Sequence, residues 1–570
     1  MRYHHRQAIF SRRVTLSVNK QAIPMTDSGT QAGTERRDTH LDAIEQAAPP
    51  KHNELKETGA AVLAEMMRIA IPSVATMASY TVMQFADKLM VSRIGPEPVY
   101  VSAQSNGGIL SWMLIAFILG MTGVVNSFVS QNLGAGKPER GAAYAWNGLW
   151  ISFAYFVLLV VPAIFVVPMY FDYIHNDPIL VQLETQYAVI VLAGTLGVMC
   201  SRTIHHYFYG LHRPWVVLIS AISANIINII LNFLFIFGDQ QLVMEAGWFG
   251  DAIINPITGA FASLAAMLGM EPMGLKGAAY ATVIGGFIEF FIPLALFVSP
   301  RYARKFGTLK AWKLSAECLK GLWKVGLAPG LMFVNEIICW TLLMVWLVPL
   351  GGKAVGDDPV LHNTTGWIAL QYMHLSFMPA VGLSIAAQAM VGKCMGMKRP
   401  DLASARAMLA LKITMVYMGL CAIIFVIFRE PLIGVFIDEA TPPEQRAKLI
   451  AIGSRVMIAA AVFQVFDALA ITTSAALRGA GDTVFPGVAT IVLSWTCIVG
   501  IGYGLVVFVP SLGSMGPWIG ASIFIILLGV VLGIRFAKGK WKTMSLVEAD
   551  AEPDLDPFDD IMPDPTIGVV

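Results

Sequence analysis

The chain has 570 residues, of which 56% are hydrophobic and only 14% are charged, and its formal net charge at pH 7 is +1. Soluble domains carry about a quarter charged residues, so this composition excludes an ordinary soluble protein. A net charge so close to zero gives no reason to expect a nucleic-acid partner. The apolar residues come in repeated runs of ~20, each long enough to cross a hydrocarbon core of ~30 Å, which predicts a polytopic helical membrane protein.

Twelve hydrophobic spans are predicted between two polar ends. Residues 1–60 are polar and turn-rich, and residues 541–570 are acidic and rich in proline, so we expect both ends to be disordered and cytoplasmic. The first six spans lie near 66–90, 104–128, 143–168, 184–208, 214–237 and 277–299. The second six lie near 324–350, 365–391, 404–428, 452–477, 486–509 and 516–537.

The charges between the spans predict an orientation. With the N-terminus in the cytoplasm, the cytoplasmic loops and span ends hold a basic cluster at 301–324 and these residues: Lys137, Arg140, Arg202, Arg213, Lys393, Lys398, Arg399 and Arg478. The opposite loops are mostly acidic: Asp172, Asp177, Asp239, Glu245, Asp251, Asp357, Asp358, Asp438 and Glu439. Because short loops rich in Lys and Arg stay in the cytoplasm, we predict that both termini are cytoplasmic.

An internal repeat divides the chain into two halves. "NLGAGKPERGAA" follows span 2 and "CMGMKRPDLASA" follows span 8, so that Gly134 matches Gly396 and Pro138 matches Pro400 at an offset of 262. A repeat of six spans keeps its orientation, which predicts two lobes related by an axis along the membrane normal, with substrate at their interface.

The predicted lobes are 61–300 and 324–540, joined by a basic cytoplasmic linker at 301–323. The segment 239–276, between spans 5 and 6, contains an apolar stretch that is shorter than a membrane span, and we interpret it as a re-entrant or interfacial helix on the outer face.

Three carboxylates inside the predicted spans are candidate site residues: Asp87 near the outer end of span 1, Glu336 midway along span 7 and Asp467 midway along span 10. Glu289 in span 6 is a weaker candidate and is left out of the set. A charge at the bilayer centre costs ~2.5–3.5 kcal/mol even on a lenient scale, so such a residue faces a cavity, holds a cation or takes a proton. Burial favours the protonated carboxyl, whereas a bound cation favours the ionised one. A proton and a cation therefore exclude each other there, which is the chemistry that an ion-coupled antiporter requires. For Asp87, an ordinary interfacial pair with Lys88 is an equal alternative.

Polar residues on span 5 share one helix face. Asn225, Asn228 and Asn232 follow each other at spacings of three and four. They form either a polar cavity wall beside Asp87 or hydrogen bonds to a neighbouring helix, and the sequence favours neither.

Three further residues are candidates for a cavity wall in the second half. Asn335 could offer an oxygen to a sodium ion at Glu336, because hard cations prefer oxygen ligands. His374 in span 8 and Phe463 in span 10 could line a pocket for flat organic cations. Packing is the more common role of such aromatic residues.

The chain resembles the multidrug and toxic compound extrusion (MATE) family of secondary transporters over about residues 65–540. The resemblance is carried by "FADKLMVSRIG" in span 1, "QNLGAGKPERGA" after span 2, "PLG" closing span 7 and "FQVFDALAITTSAALRGAGDTVFP" in and after span 10. It implies two six-helix lobes around a V-shaped central cleft that alternates between the membrane faces. It also implies export of organic, often cationic, compounds against an inward flow of sodium ions or protons.

The resemblance also implies which residues couple transport to an ion. The family's acid on span 1 matches Asp87, and the acids of its sodium-coupled bacterial branch on spans 7 and 10 match Glu336 and Asp467. Phe463 stands one turn before the span 10 acid, where that branch usually has Tyr, and so removes a hydroxyl from the sodium site. Asn232 stands where another branch has a proton-coupling Asp, which argues against that branch's mechanism.

The sequence therefore predicts a multi-pass antiporter of a bacterial plasma membrane that exports small organic, mainly cationic, compounds in exchange for Na⁺ or H⁺. Na⁺ would bind at Glu336 and Asp467, and we expect no other cofactor and a monomeric protein. Two alternatives stay open. One is a lipid-linked saccharide flippase of the related superfamily, whose cavity would be cationic. The other is a membrane-embedded enzyme, although neither a Walker motif nor an HExxH cluster is visible.

Overall fold

This computed structural model describes residues 59–95, 99–175, 177–242, 252, 254–437 and 441–547. The predicted N-terminal segment 1–60 lies almost wholly outside the described residues, as does the acidic tail from residue 548 onward. Within the described ranges the chain forms helices and turns, and no strand is present.

Twelve helices in the described ranges are long and apolar enough to cross a membrane. Spans 1–6 are Ala60–Val91, Val99–Gly134, Pro138–Ile174, Pro178–Gly210, Pro214–Phe237 and Leu275–Val298. Spans 7–12 are Ala316–Ala354, Pro359–Gly396, Pro400–Ile427, Pro443–Ala480, Val484–Phe508 and Met515–Ala537. The prediction of an all-α, twelve-span membrane protein is therefore confirmed. We call the membrane face at which span 1 begins the entry face, and the opposite one the far face.

Most spans are longer than hydropathy predicts. Span 7 begins at Ala316 rather than near 324, and span 10 covers Pro443–Ala480 rather than 452–477. The additional turns are polar or charged, so they give no apolar signal. Proline at the first helical turn, where its missing N–H costs nothing, marks many of the true starts. These prolines are Pro138, Pro178, Pro214, Pro359, Pro400 and Pro443.

The internal repeat reappears in the backbone of the loops. Gly136 and Lys398, again separated by 262 residues, have left-handed φ angles of 70° and 56° in the turns after spans 2 and 8. The turns after spans 4 and 10 each contain one left-handed residue as well, His212 at 59° and Gly481 at 97°. This conformation is strained for residues with a side chain. Its presence at Lys398 and His212 indicates that the two lobes share the turn geometry even where the residue types differ.

Four spans contain a π-helical turn: Phe156–Val160 in span 3, Phe233–Phe237 in span 5, Leu343–Leu347 in span 7 and Ser494–Ile501 in span 11. Such turns are rare and occur often at functional sites, because they shift side chains out of the regular helical register. Two of them adjoin predicted site residues. The turn in span 5 follows Asn232 directly, and Asn335 in span 7 contacts the start of the turn in span 11.

The two lobes have separate cores and meet along a few helices. The C-lobe core is built from spans 7–12, and the N-lobe core from spans 2–6 with the beginning of span 7. Between the lobes, span 2 packs against spans 7 and 8, and span 1 packs against span 8. Glycines bring the backbones together at Gly120, Gly330, Gly382, Gly392 and Gly396. These close contacts lie toward the entry face.

Three connecting segments differ from or add to the predictions. The insertion 239–276 contains a helix, Asn255–Met267. The Phe261 ring of this helix stacks on Phe233 of span 5, with ring centroids 5.3 Å apart. The depth of the helix in the bilayer stays a prediction. The linker begins with the short helix Pro300–Phe306. The tail does not become irregular at 541, because the fully buried Trp541 stacks on Phe536, with ring centroids 5.0 Å apart, and anchors the chain to span 12.

Candidate functional site

Glu336 from span 7 and Asp467 from span 10 lie within electrostatic reach of each other in the C-lobe. Both side chains are half-buried, and they are close enough for their charges to interact. Within the described residues, neither carboxylate forms a hydrogen bond or an ion pair within 4 Å. Arg478, at the end of span 10, acts on Glu336 electrostatically from a greater distance. The pair is therefore negatively charged when ionised, and no group in the described part of the chain forms an ion pair with it within 4 Å.

Asn335 positions the helix that carries Glu336. Its Nδ2 donates a hydrogen bond to Ser494 Oγ at 2.7 Å, and its Oδ1 accepts one from Trp495 Nε1 at 2.8 Å. Both partners belong to the π-helical turn of span 11. Because the Asn335 oxygen is already used there, the structure gives this side chain a role in joining spans 7 and 11. Its predicted contact with a sodium ion stays untested.

The donor set at Glu336 and Asp467 fits a hard cation or a proton. Carboxylate oxygens are the ligands that hard cations prefer, and hydroxyl, carbonyl or water oxygens would have to complete the shell. In the described part of the chain, no group of three or more His, Cys, Asp or Glu side chains is arranged to hold a metal ion.

Asp87 lies in a polar cluster between spans 1 and 5. Its side chain is 9% exposed, and Asn232 Nδ2 donates to its Oδ1 at 2.5 Å and lies 3.2 Å from Asn228 Oδ1. One helical turn earlier, Asn225 Nδ2 donates to Ser79 Oγ of span 1 at 3.1 Å. The asparagine face of span 5 thus makes helix–helix hydrogen bonds and also lies beside Asp87. Whether it borders a substrate cavity stays a prediction.

The remaining predicted residues lie apart from these two clusters. Among the described residues, no hydrogen bond or ion pair connects Asp87 with Glu336 or Asp467. His374 is half-buried on span 8 and lies within electrostatic reach of Lys88 in the other lobe. Phe463 is only 2% exposed and packs in the C-lobe core, which leaves little of its ring for a cavity wall.

A buried charge network in the N-lobe is missed by the sequence analysis. The Tyr80 hydroxyl donates to the Glu289 carboxylate, and Arg202 Nη1 lies 3.5 Å and His205 Nδ1 3.7 Å from the same oxygen. The Arg202 guanidinium also lies over the Tyr80 ring, 4.3 Å from its centroid. Arg202, which the sequence analysis counts among the basic cytoplasmic residues, is therefore an internal residue of span 4. Its pairing across three spans leaves no local spacing signal.

The two lobes differ in how they neutralise a buried acid. In the N-lobe, Arg202 is the resident counter-cation of Glu289. The Glu289 side chain is 9% exposed and the Arg202 side chain is 23% exposed. In the C-lobe, Glu336 and Asp467 have no such partner within 4 Å among the residues that the structure describes. A carboxylate pair without a resident cation can bind and release a cation from solution. The C-lobe pair is accordingly the stronger candidate for ion binding.

Comparison with known families agrees with this architecture. The MatE family model matches residues 72–234 and 332–503, one stretch in each lobe and more than half of the chain in total. The chain belongs to the MatE family. This is the family that the motifs of spans 1, 2, 7 and 10 resemble, and the match to both halves fits the internal repeat.

Individual MatE relatives are distant but extend over nearly the whole fold. The chain is 24% identical to a probable multidrug resistance protein NorM of Synechococcus, with 84% of this chain and 94% of the relative covered. It is also 24% identical to the multidrug resistance protein MdtK of Photorhabdus laumondii, with the same coverage. A crystal structure of MATE in complex with MaL6 superposes with a TM-score of 0.70 at 20% identity, covering 84% of this chain and 96% of that one. That likeness concerns the fold, and it supports the division into two lobes of six helices.

Proposed function

We propose that this MatE protein is a secondary transporter that exports small organic compounds, mainly cations, in exchange for Na⁺ or H⁺. The names of its relatives, which are multidrug resistance proteins, support export and argue against enzymatic catalysis. The observation that carries the ion coupling is the Glu336–Asp467 pair, which lies in the C-lobe without a neutralising partner among the described residues.

The proposed mechanism is mutual exclusion between ion and substrate. When a cation binds at Glu336 and Asp467, their repulsion is relieved, and spans 7 and 10 can approach each other. This rearrangement of the C-lobe weakens substrate binding in the cleft. One charge moving through 100 mV releases ~2.3 kcal/mol, which supports a roughly fifty-fold concentration ratio per ion before any chemical gradient is added.

The orientation follows from the basic loops. The entry face is the cytoplasmic side of a bacterial plasma membrane, because the Lys- and Arg-rich segments lie there. The close glycine contacts between the lobes then lie toward the cytoplasm. We expect the protein to work as a monomer, since each chain supplies both lobes.

The lipid-linked saccharide flippase is the weaker alternative. Such a protein needs cationic side chains that are free to bind a pyrophosphate. Arg202 is a cation inside the N-lobe, but Glu289 already neutralises it at 3.5 Å. The pair that lacks a partner is acidic, which favours cationic cargo.

The coupling proposal is tested by efflux of a fluorescent organic cation from proteoliposomes under a sodium gradient or a pH gradient, each imposed alone. Glu336→Gln and Asp467→Asn remove one charge each with little change in shape. Glu444→Gln is the matched control, because this acid is 89% exposed at the far end of the same span 10.

We expect efflux driven by one of the two gradients in the wild type and in Glu444→Gln, and a loss of at least ten-fold in the two site variants. Ion-driven efflux that survives the double variant Glu336→Gln/Asp467→Asn would exclude this pair as the coupling site. The gradient that drives the wild type identifies the ion.

A further inference from the structure

A groove on the outside of the C-lobe has the features of a lipid headgroup site. It has a volume of about 580 Å³ and lies between the short helix Arg429–Gly434, which follows span 9, and the first half of span 10. Its lining contains both apolar and charged residues and consists of Arg429, Glu430, Ala447, Ile450, Ala451, Ser454, Arg455 and Ile458. It is separate from the ion-coupling pair.

The polar groups that line the groove form few hydrogen bonds within the described residues. In the described part of the chain Arg455 forms no hydrogen bond or ion pair, and Arg429 makes one hydrogen bond, to the Val426 carbonyl at 2.9 Å. The Ser454 hydroxyl is buried and has no hydrogen-bond partner among the described residues. A buried hydroxyl without a partner costs ~1–3 kcal/mol, and a cation at a membrane boundary needs an anion or water. The groove is therefore lined by two guanidiniums and one hydroxyl without a partner among the described residues, which are the kinds of groups that bind a phosphate.

The depth of the groove matches the level of the lipid headgroups. Arg455 is twelve residues before Asp467 on the same helix, which places it ~18 Å farther toward the far face. Since Asp467 lies near the middle of the hydrophobic stretch, Arg455 reaches the edge of a hydrocarbon core ~15 Å in half-thickness. Below it on the same helix face, Ile458 and Val462 are 42% and 53% exposed. Acyl chains would cover this stripe while the phosphate reaches the guanidiniums.

Glu430 narrows the choice of headgroup. This exposed carboxylate shares the rim with Arg429 and Arg455, so the groove presents two positive charges and one negative charge. A phosphodiester alone would leave the carboxylate unpaired next to an anion. A headgroup with a primary ammonium next to its phosphate satisfies all three groups, because the ammonium N–H groups can donate to the carboxylate.

We propose that this groove binds a phospholipid with a phosphoethanolamine headgroup from the far-face leaflet, with the phosphate on Arg429, Arg455 and Ser454 and the ammonium on Glu430. The lipid clamps the start of span 10 to the helix Arg429–Gly434. These elements already pack together, because a Cβ on Gly453 would lie only 2.8 Å from the Ile433 side chain. The proposed lipid site therefore lies on span 10, the helix that carries Asp467. The lipid proposal does not depend on the proposal that Asp467 couples transport to an ion.

The test uses the full-length protein in nanodiscs made of equal parts of ethanolamine, choline and glycerol phospholipids with the same acyl chains. Native mass spectrometry then counts the lipids that stay bound after the disc is removed. The variants are Arg429→Gln, Arg455→Gln and Glu430→Gln. The matched control is Arg93→Gln, which removes an exposed arginine from the far-face turn after span 1 in the other lobe.

We expect the wild type and Arg93→Gln to retain the ethanolamine lipid in preference to the other two. Each groove arginine variant should lower its retention about five-fold, the equivalent of ~1 kcal/mol per basic residue at a membrane surface. Glu430→Gln should keep a bound lipid but lose the preference for ethanolamine over glycerol headgroups. This separate effect distinguishes the site from general attraction to charge.

Two results would overturn the proposal. The first is equal retention of all three lipids in the wild type and in Arg429→Gln/Arg455→Gln, with unchanged thermal stability. The second is release of the bound lipid by millimolar inorganic phosphate, because the groove would then recognise a free anion rather than a lipid.

Discussion

Gly134 and Gly396 pack against each other's helix in the same way. A Cβ on Gly134 would lie 2.0 Å from the carbonyl oxygen of Lys393 in span 8, and a Cβ on Gly396 would lie 1.9 Å from that of Gln131 in span 2. The two glycines differ by 262 positions, and so do Gln131 and Lys393. The lobes therefore meet at the entry face through a reciprocal contact, in which each repeat supplies one glycine and one carbonyl.

We expect Gly396→Ala and Gly134→Ala each to disfavour the closed entry face. A methyl group cannot lie 2 Å from a carbonyl oxygen, so the two helices must move apart, at a cost of ~1–3 kcal/mol. Spin labels on spans 2 and 8 near the entry face should show longer distances by double electron–electron resonance. Gly419→Ala in span 9 is the control, because nothing lies within 4 Å of its added Cβ. Unchanged distances in both interface variants would show that this contact does not hold the closed state.

The segment 544–547 after span 12, which we call the strap, joins both lobes at the same face. Leu546 N–H donates to Gln131 Oε1 at 2.8 Å, while Gln131 Nε2 donates to the Gly479 carbonyl at 2.8 Å. The Leu546 side chain packs against Gly481 and against the N-lobe core. One glutamine side chain thus connects span 2, the end of span 10 and the strap.

Removing the strap should favour an open entry face. Deletion of 544–570 loses the Leu546 contacts, worth ~1–2 kcal/mol, and should change the ratio of open to closed molecules by about five- to thirty-fold. Deletion of 548–570 leaves the strap in place and serves as the control. The spin-label distances between spans 2 and 8 near the entry face are measured for both deletions. If the two deletions give the same distances, the strap is a passive contact.

The sequence predicts the parts of this protein that depend on local composition. Spans of ~20 apolar residues have a strong signal, and so does an isolated acid such as Glu336 or Asp467 within one. The helix ends are predicted less well, because the polar turns at the start of span 10 carry no hydropathy signal. Proline at position 443 marks the true start.

Contacts between distant spans could not be predicted in the same way. Glu289 and Tyr80 are 209 residues apart, and nothing in the local sequence of either residue indicates the other. The contact between Asn335 and span 11 could not be predicted from the local sequence either. The position of Asn335 beside Glu336 suggested a cation ligand, yet its side chain points to span 11, because neighbouring residues on a helix face directions ~100° apart.

We expect Asn335→Leu to disturb the coupling site without removing a charge. Leucine has a similar size but leaves Ser494 Oγ and Trp495 Nε1 without the Asn335 partner, at a cost of ~1–3 kcal/mol. The midpoint of thermal unfolding should fall, and the concentration of the driving ion needed for half-maximal efflux should rise several-fold. Thr496→Ala is the control, because this exposed hydroxyl on the same π-helical turn bonds only to its own helix. An unchanged ion dependence in a folded Asn335→Leu protein would show that the joint with span 11 does not position Glu336.

The Arg202–Glu289 pair should matter more for stability than for coupling. Each single variant, Arg202→Gln or Glu289→Gln, leaves one buried charge without its partner, and breaking such a pair costs ~3–5 kcal/mol. The double variant leaves no uncompensated charge, so its loss in free energy of unfolding should be clearly smaller than the sum of the single losses. Thermal or denaturant unfolding of the purified protein measures all three, with Lys538→Gln as the control for an exposed charge.

Efflux measurements on the same set then separate structure from coupling. Since Glu289 already has Arg202 as a resident cation at 3.5 Å, it offers no free carboxylate to a transported ion. The folded double variant should therefore keep the ion dependence of the wild type, although its maximal rate falls with its stability. A folded double variant that has lost ion-driven efflux would contradict this assignment. It would mean that the N-lobe network takes part in ion exchange together with Glu336 and Asp467.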